Sequence, residues 1–295
     1  MASTMRMNVS KVSPKMAMAQ KAAKAPVARA IASKGFMGAR VQQRMGAQRV
    51  TYRTATSASY GKEEVGDFPS MDYRIFFKDG DKKVSPWHDI PLYNDDGTVN
   101  MIVEIPKESQ AKMEVATDEE LTPIKQDTKK GKLRDYPYNI NWNYGMLPKT
   151  WEDPGIKNPE VEDMAGDNDP VDVVEIGSTQ HPMGTVIAVK PVGIYAMIDD
   201  GELDWKVVAI DVNDPKAADI NDVEDVEAAF PGTLVKILEW FRDYKIPDGK
   251  GANKFGLDEK CMNKEYTMMV IKETEEFYNK LMSGERENDE GLSLK

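Results

Sequence analysis

The first acidic residue of this 295-residue chain is Glu63. Before it stand twelve basic residues (Arg6, Lys11, Lys15, Lys21, Lys24, Arg29, Lys34, Arg40, Arg44, Arg49, Arg53 and Lys62) and no Asp or Glu. This arm is rich in Ala, Met and Ser, with short basic steps such as Lys21-Ala22-Ala23-Lys24. That is the composition of an organellar transit peptide, and a secretory signal's continuous apolar stretch of about 7 or more residues is missing. A retained basic tail is the alternative. Residues 1–60 are therefore set apart from the fold, with cleavage expected between roughly 45 and 62.

What must fold is the remainder. The whole chain carries 39 Lys+Arg against 50 Asp+Glu, a net of −11; residues 63–295 hold 27 basic and 50 acidic residues, a net of −23. At roughly 150 residues per domain, this length allows one large domain or two small ones. No run of about 18 apolar residues occurs, which excludes a membrane-spanning helix. A single cysteine, Cys261, excludes an internal disulfide and a cysteine-based zinc cluster. His88 and His181 are too few for most histidine-based metal sites.

Strand signals come first. Tyr73–Lys78 is strand-like and rich in aromatics, and a turn-rich stretch follows from Pro91 to Gly97. Val99, Met101, Val103 and Ile105 alternate onto one face with Glu104 on the other, and Lys112 and Glu114 share a face. Further strands are expected at Val171–Ile176, Thr185–Val189, Gly193–Ile198 and Trp205–Val212. Helical signals appear only after about residue 220. Asn221 or Asp222 caps a helix ending near Phe230-Pro231-Gly232, and a second runs from Thr233 to Tyr244. A third runs from Lys264 to Ser283, with Tyr266, Val270, Phe277 and Leu281 spaced by 4, 7 and 4 and Gly284 closing it. Residues 285–295 are polar and expected to fray. Strands followed by helices predict an α+β domain on an antiparallel sheet or small barrel, occupying residues 61–284.

The chemistry concentrates in Gly166-Asp167-Asn168-Asp169-Pro170-Val171-Asp172. In extended chain Asp167 and Asp169 point the same way, and Asp172 follows closely. Carboxylates so crowded resist ionising together unless a hard divalent cation offsets their charge, and Mg²⁺ favours such carboxylate-plus-water sites. An EF-hand loop starting at Asp167 fails, because Asp172 stands where Gly is needed and Ser178 where Glu is needed. Gly249-Lys250-Gly251 lacks Walker A spacing. A second acidic cluster, Asp199 to Asp204, spans a hairpin turn at Asp200-Gly201 that brings Asp199 and Asp204 near each other. Acids between Asp211 and Glu227 suit a helix N-terminus. Lys129-Lys130-Gly131-Lys132-Leu133-Arg134 and Arg242-Asp243-Tyr244-Lys245 supply cations. Taken singly, the second acidic cluster and the basic runs read first as solvated polar surface, and a solvated acidic turn is the alternative for Asp167 to Asp172.

Taken in series they are specific. Asp167-Asn168-Asp169-Pro170-Val171-Asp172 is flanked by Trp87-His88-Asp89-Ile90-Pro91-Leu92-Tyr93, Gln126-Asp127-Thr128-Lys129-Lys130-Gly131-Lys132, Asn143-Tyr144-Gly145 and Tyr244-Lys245-Ile246-Pro247-Asp248-Gly249. From Tyr73 to Gly284 the chain closely resembles the soluble inorganic pyrophosphatases of the eukaryotic family I type. That resemblance implies a small OB-like antiparallel β-barrel with flanking strands and C-terminal helices, and hydrolysis of inorganic diphosphate with several Mg²⁺ ions. It assigns Asp167, Asp172 and Asp204 as metal ligands with Asp199 beside them, and Asp169 as the carboxylate that activates water. Glu104, Lys112, Glu114 and Tyr144 match further catalytic positions. Lys112, Arg134, Lys206, Tyr244 and Lys245 match phosphate contacts.

One position departs from the family pattern. Relatives commonly carry a Tyr four residues before the Asn-Tyr-Gly tyrosine, where this chain has Ile140. The segment Tyr136-Pro137-Tyr138-Asn139-Ile140-Asn141-Trp142 is also shorter than in yeast-type enzymes, and whether Tyr138 supplies the phenol is open. The variant resembles the plastid-directed branch, which with the acid-free N-terminus implies the chloroplast stroma, with the mitochondrion as alternative. Monomer and homodimer both fit. A scaffold that has lost activity and only binds phosphate or a partner is the competing reading. An OB-type nucleic-acid module is disfavoured by the acidic body.

Overall fold

The computed structural model describes residues 60–295; the transit-peptide assignment lies outside them. A small sheet leads the chain: β1 (Gly61–Val65), β2 (Arg74–Asp79), β3 (Lys82–Val84), then, after β4 (Val99–Ile105), β5 (Met113–Val115) and β6 (Ile124–Gln126). The main sheet is built from β4, β7 (Asn143–Met146), β8 (Asp172–Glu175), β9 (Val186–Asp199) and β10 (Glu202–Asp211), edged by two-residue strands. Helices α1 (Val223–Ala229), α2 (Thr233–Asp243) and α3 (Lys264–Ser283) follow.

In the main sheet β10 pairs β8, β8 pairs β7, β7 pairs β4, β4 pairs β9, and β9 pairs β10 as well. The sheet is mixed rather than antiparallel throughout, because β8 and β10 run parallel with Asp172 opposite Lys206. The long β9–β10 hairpin causes this: the chain leaves β8, crosses to β9, and β10 returns alongside β8 in its own direction. The two strands expected at Thr185–Val189 and Gly193–Ile198 are one 14-residue strand, irregular at Pro191 to Gly193, where the register with β10 shifts. Proline removes a ladder donor, so a strand carrying Pro191 keeps pairing only through such an irregularity.

Core forms on both faces of the sheet, which is why these strands read as nearly continuous apolar runs. One cluster joins Val99, Met101, Val103, Val173 and Val207 with Val270 and Ile271 of α3. The other joins Ile102, Ile105, Tyr144 and Met146 with Ile75 and Ile124 of the small sheet and Ile237 and Phe241 of α2. Ile105 thus does not share the face of Val99, Met101 and Val103. A bulge between Val103 and Ile105 breaks the alternation: Val103 opposes Gly145, Ile105 opposes Tyr144, and Glu104 is the extra residue.

Helix α1 starts on Asp222, whose carboxylate and that of Asp225 form a reciprocal capping box. Helix α2 starts on Gly232 with no cap of its own, but Glu227 accepts from the Gly232 and Leu234 amides at 2.8 and 3.1 Å. Burying Ile237, Trp240 and Phe241, at about 1.5–3 kcal/mol each, outweighs the roughly 1 kcal/mol of a missing cap. Helix α3 ends, as the sequence predicts, at Gly284 in the left-handed region.

The C-terminal segment does not fray. Arg286 bridges to Asp153 at 3.3 Å and Glu290 at 2.7 Å. The Ser293 amide donates to the Thr117 carbonyl at 2.7 Å, and the Ser293 carbonyl lies 2.8 Å from His88 Nε2. Leu292 is 7% exposed and Leu294 packs against the same core. The polar composition concealed two leucines at alternate positions, and both reach apolar neighbours. Among the described residues no helix is long and apolar enough to cross a membrane.

Candidate active site

The main sheet, the small sheet and the end of α2 converge on a cavity of about 170 Å³. All the predicted site residues line it: Glu104, Lys112, Glu114, Arg134, Tyr144, Asp167, Asp169, Asp172, Asp199, Asp204, Lys206, Tyr244 and Lys245.

Register explains the convergence. Asp172 lies beside Lys206 on one neighbour and Met146 on the other, placing Tyr144 two residues along the same face. Across the β9–β10 hairpin Met197 opposes Asp204 and Asp199 opposes Glu202, so Asp199 and Asp204 are diagonal neighbours on one face. The turn takes positive φ at Asp200 (51°) and Gly201 (98°), the twist that suits a two-residue hairpin. The bulge at Glu104 re-aims that side chain into the cavity, a common use of bulges beside active sites.

Close backbone packing fixes the loops. A Cβ on Gly145 would fall 1.8 Å from the Ile102 carbonyl oxygen, so only glycine lets β7 approach β4 beside Tyr144. A Cβ on Gly166 would fall 2.4 Å from the Glu152 backbone. Asn168, at φ 75°, turns the acidic loop, and its side-chain oxygen accepts from Trp151 Nε1 at 3.1 Å. The Glu152 amide donates to the Asp169 carbonyl at 2.9 Å, and the Asn168 amide donates to the Glu152 carbonyl at 3.0 Å.

Charge is distributed unevenly around the cavity. Lys206, 2% exposed, donates to Asp172, Asp204 and, at 3.0 Å, the Tyr144 hydroxyl. Tyr144 itself donates to Asp172. Lys245 donates to Asp199 and, at 2.9 Å, Asp200, while the Tyr244 hydroxyl donates to Asp199 at 3.0 Å. On the opposite wall Lys112 donates to Glu114 at 2.7 Å and pairs with Asp127 at 3.0 Å, and Asp127 also accepts from Arg134 at 2.8 Å. Glu104 accepts from the Val115 amide at 2.7 Å.

Four of the lining acids, Glu104, Asp167, Asp169 and Asp204, are held against ionisation. Burial, then the charges of Asp172 and Asp199, push Asp204 up to about 7 despite the opposing pull of Lys206. Desolvation, then the charges of Glu114 and Asp172, push Asp169 up to about 7. Asp169 is exposed at the cavity mouth, where water screens like charges, so the direction of its shift is what matters. Burial raises Asp167 and Glu104 well above the usual carboxylate range, with Asp204 and Asp172 respectively adding to it. Burial alone would lower Lys206, but Asp172 and Asp204 more than offset it and hold it strongly cationic.

Among the described residues no group of three acids stands ready-formed as a metal cage. The carboxylates converge without closing up, because the Lys206 ammonium sits between Asp172 and Asp204. As a donor set they nevertheless suit a hard divalent cation: all oxygen and mutually repelling, with Asp167 and Asp204 raised in pKa first by burial and then by neighbouring acids.

Sequence reasoning missed three contributors. Asp127 orients both Lys112 and Arg134, and its only signal was membership of the Gln126-to-Lys132 motif. Glu152 is buried beneath Asp167 and Asp204 and accepts from the Trp205 amide at 3.2 Å. Tyr136 lines the cavity, whereas Tyr138 is 43% exposed and does not line it.

Comparison with known proteins accords with this geometry. The family model described as inorganic pyrophosphatase matches residues 101–279. The chain is 67% identical over 251 residues to soluble inorganic pyrophosphatase 1, chloroplastic, of Chlamydomonas reinhardtii, covering 84% of this chain and 89% of that protein. It is also 67% identical over 221 residues to soluble inorganic pyrophosphatase 6, chloroplastic, of Arabidopsis thaliana, covering 75% and 74%. Among solved structures, the inorganic pyrophosphatase from Schistosoma japonicum superposes with a TM-score of 0.74 at 46% identity, covering 76% of this chain and 81% of that one. With the acid loop, the cation wall and the sheet register all in place, the chain belongs to the inorganic pyrophosphatase family.

Proposed function

We infer that this chain hydrolyses inorganic diphosphate to two phosphates. The observation that carries this is the convergence, on one cavity, of a carboxylate cluster with a facing set of Lys, Arg and Tyr donors. Phosphoryl transfer asks for positioning and charge neutralisation more than covalent chemistry, and this lining offers both.

Shared lining of one cavity supports the roles that the resemblance implies for these residues. Asp167, Asp172 and Asp204, with Asp199 adjacent, would hold divalent cations, Mg²⁺ by the hardness of the donors. When bound, such ions supply positive charge to the substrate and acidify water at the site. Asp169, at the cavity mouth and with its pKa pushed toward neutrality, accepts the proton of the attacking water. Arg134, Lys112, Tyr244, Lys245 and Lys206 donate to phosphate oxygens. Arg134 and Lys112 are both aimed by Asp127. Glu104, Glu114 and Tyr144 complete the catalytic wall, Tyr144 by holding Asp172 in orientation.

The OB-like barrel belongs to the same reading, supported by the order in which each of the five main strands finds a neighbour on both sides. A plastid address is supported by the acid-free first 62 residues and by the chloroplastic relatives. The test is phosphate release from diphosphate by the full chain with and without Mg²⁺, with ATP as control substrate. Release that requires Mg²⁺ and spares ATP supports the reading. A folded protein that binds phosphate but releases none overturns it in favour of a binding scaffold.

A further inference from the structure

The segment between Arg134 and Asn143 borders the cavity, and the structure places Tyr136, Tyr138 and Ile140 in three different environments. Ile140 is 0% exposed and packs in the core. Tyr138 faces solvent. Tyr136 is 5% exposed, and what remains open of it lines the catalytic cavity.

Tyr136 is held firmly. Its amide donates to the Gln110 carbonyl at 2.7 Å, and Asp135 bridges to Ala111, strapping the segment to the chain that leads through Lys112 into β5. Its ring stands edge-on to Trp240 at 4.8 Å and to Tyr244 at 5.5 Å. The hydroxyl makes no hydrogen bond among the described residues and is not one of the fully enclosed unpaired polar atoms, so it is free to meet a ligand in the cavity that the residue lines. It lies within the fields of Lys112, Lys206 and Arg134, three cations with which a neutral donor and an anion fit together. Burial holds its pKa up to about 12, so the group stays a donor at any physiological pH.

We propose that Tyr136 is a substrate-contacting residue whose hydroxyl donates a hydrogen bond to a phosphate oxygen of diphosphate beside Arg134 and Lys112. This assignment rests on the functional reading above.

The experiment compares the full wild-type chain with Tyr136→Phe and Tyr138→Phe. The phenylalanine keeps the ring contacts with Trp240 and Tyr244, so the melting midpoint of Tyr136→Phe stays at the wild-type value. Losing a donor to a charged acceptor lowers kcat/KM for Mg²⁺-diphosphate by about ten-fold or more, and weakens calorimetric affinity for inorganic phosphate in Mg²⁺ similarly. Tyr138→Phe stays within about two-fold of wild type in both, having no contact to lose. Tyr136→Phe matching wild type in both measurements overturns the proposal, as does a loss reproduced by Tyr138→Phe. If wild type itself releases no phosphate from diphosphate, the functional reading falls and the phosphate titration alone decides Tyr136. Unchanged affinity then rejects the contact, and weakened affinity supports it.

Discussion

Lys206 is the cation that holds the acidic wall together in the metal-free fold. It is 2% exposed and donates to Asp172, Asp204 and Tyr144. Replacing it by methionine keeps most of the volume and removes the charge. Stranding one side of a buried ion pair costs about 3–5 kcal/mol. Asp204, already pushed up to about 7, offsets part of that by taking a proton, which places Lys206→Met near the low end, about 3 kcal/mol at neutral pH. A folded unit of this size loses roughly 2–4 °C of melting midpoint per kcal/mol, so the midpoint in EDTA falls by about 6–12 °C. Saturating Mg²⁺ returns positive charge to the same carboxylates, and the deficit there shrinks to less than half. Circular-dichroism melts of wild type and Lys206→Met, each in EDTA and in Mg²⁺, give the four numbers required. An equal deficit in both conditions would refute the idea that Lys206 and the divalent cations neutralise one acid cluster; so would no deficit in EDTA.

Three further outcomes follow from the same geometry. Gly145→Ala puts a Cβ 1.8 Å from the Ile102 carbonyl oxygen, so β7 must shift; the variant loses about 3 kcal/mol or more in urea titration, and activity falls as Tyr144 moves. Asp204 keeps its proton up to about pH 7 in the folded state against an ordinary 3.8 when unfolded, and Asp169 is shifted in the same direction, so the folded state binds more protons between those values. Their contribution to metal-free stability is therefore greatest below about pH 4 and declines toward pH 7, and Mg²⁺ binding near pH 7 releases protons, seen as buffer-dependent calorimetric heats. Buffer-independent heats would contradict those shifts. Deleting residues 285–295 removes the Arg286–Asp153 bridge, the Ser293 hydrogen bonds and the buried Leu292, lowering the melting midpoint by roughly 6–12 °C; a dangling tail would leave it unchanged.

The parts of the fold that announce themselves in sequence are those fixed by local periodicity or by long linear motifs. Helix α3 is legible to the residue, because its apolar positions repeat at helical spacing and Gly284 stops it. The acid loop and the hairpin acids are legible because turn chemistry and crowding are local. What depends on which strand lies beside which is not legible. The parallel register that puts Asp172 against Lys206 arises from the β9–β10 hairpin crossing back, and no residue in β8 encodes it. The bulge that turns Glu104 inward looks in sequence like ordinary alternation, so the sequence reading wrongly assigned Ile105 to the face of Val103. Asp127 and Tyr136 escape for the same reason: each acts through neighbours supplied by distant segments. The tail was misread because composition averages over eleven residues, whereas docking needs only Leu292 and Leu294 at alternate positions.

The central claim is that Asp169 takes the proton from the water that attacks diphosphate, and Asp169→Asn tests it most directly. The amide keeps the size and the loop hydrogen bonds of the backbone, and it cannot accept that proton. Measured as phosphate release from Mg²⁺-diphosphate, with melting midpoint and calorimetric phosphate affinity recorded beside it, the variant should fold and bind phosphate like wild type. Its kcat should fall by about two to four orders of magnitude, the usual reach of general-base catalysis. Turnover within a few-fold of wild type, with folding and binding intact, would contradict the assignment and move the base elsewhere in the cavity.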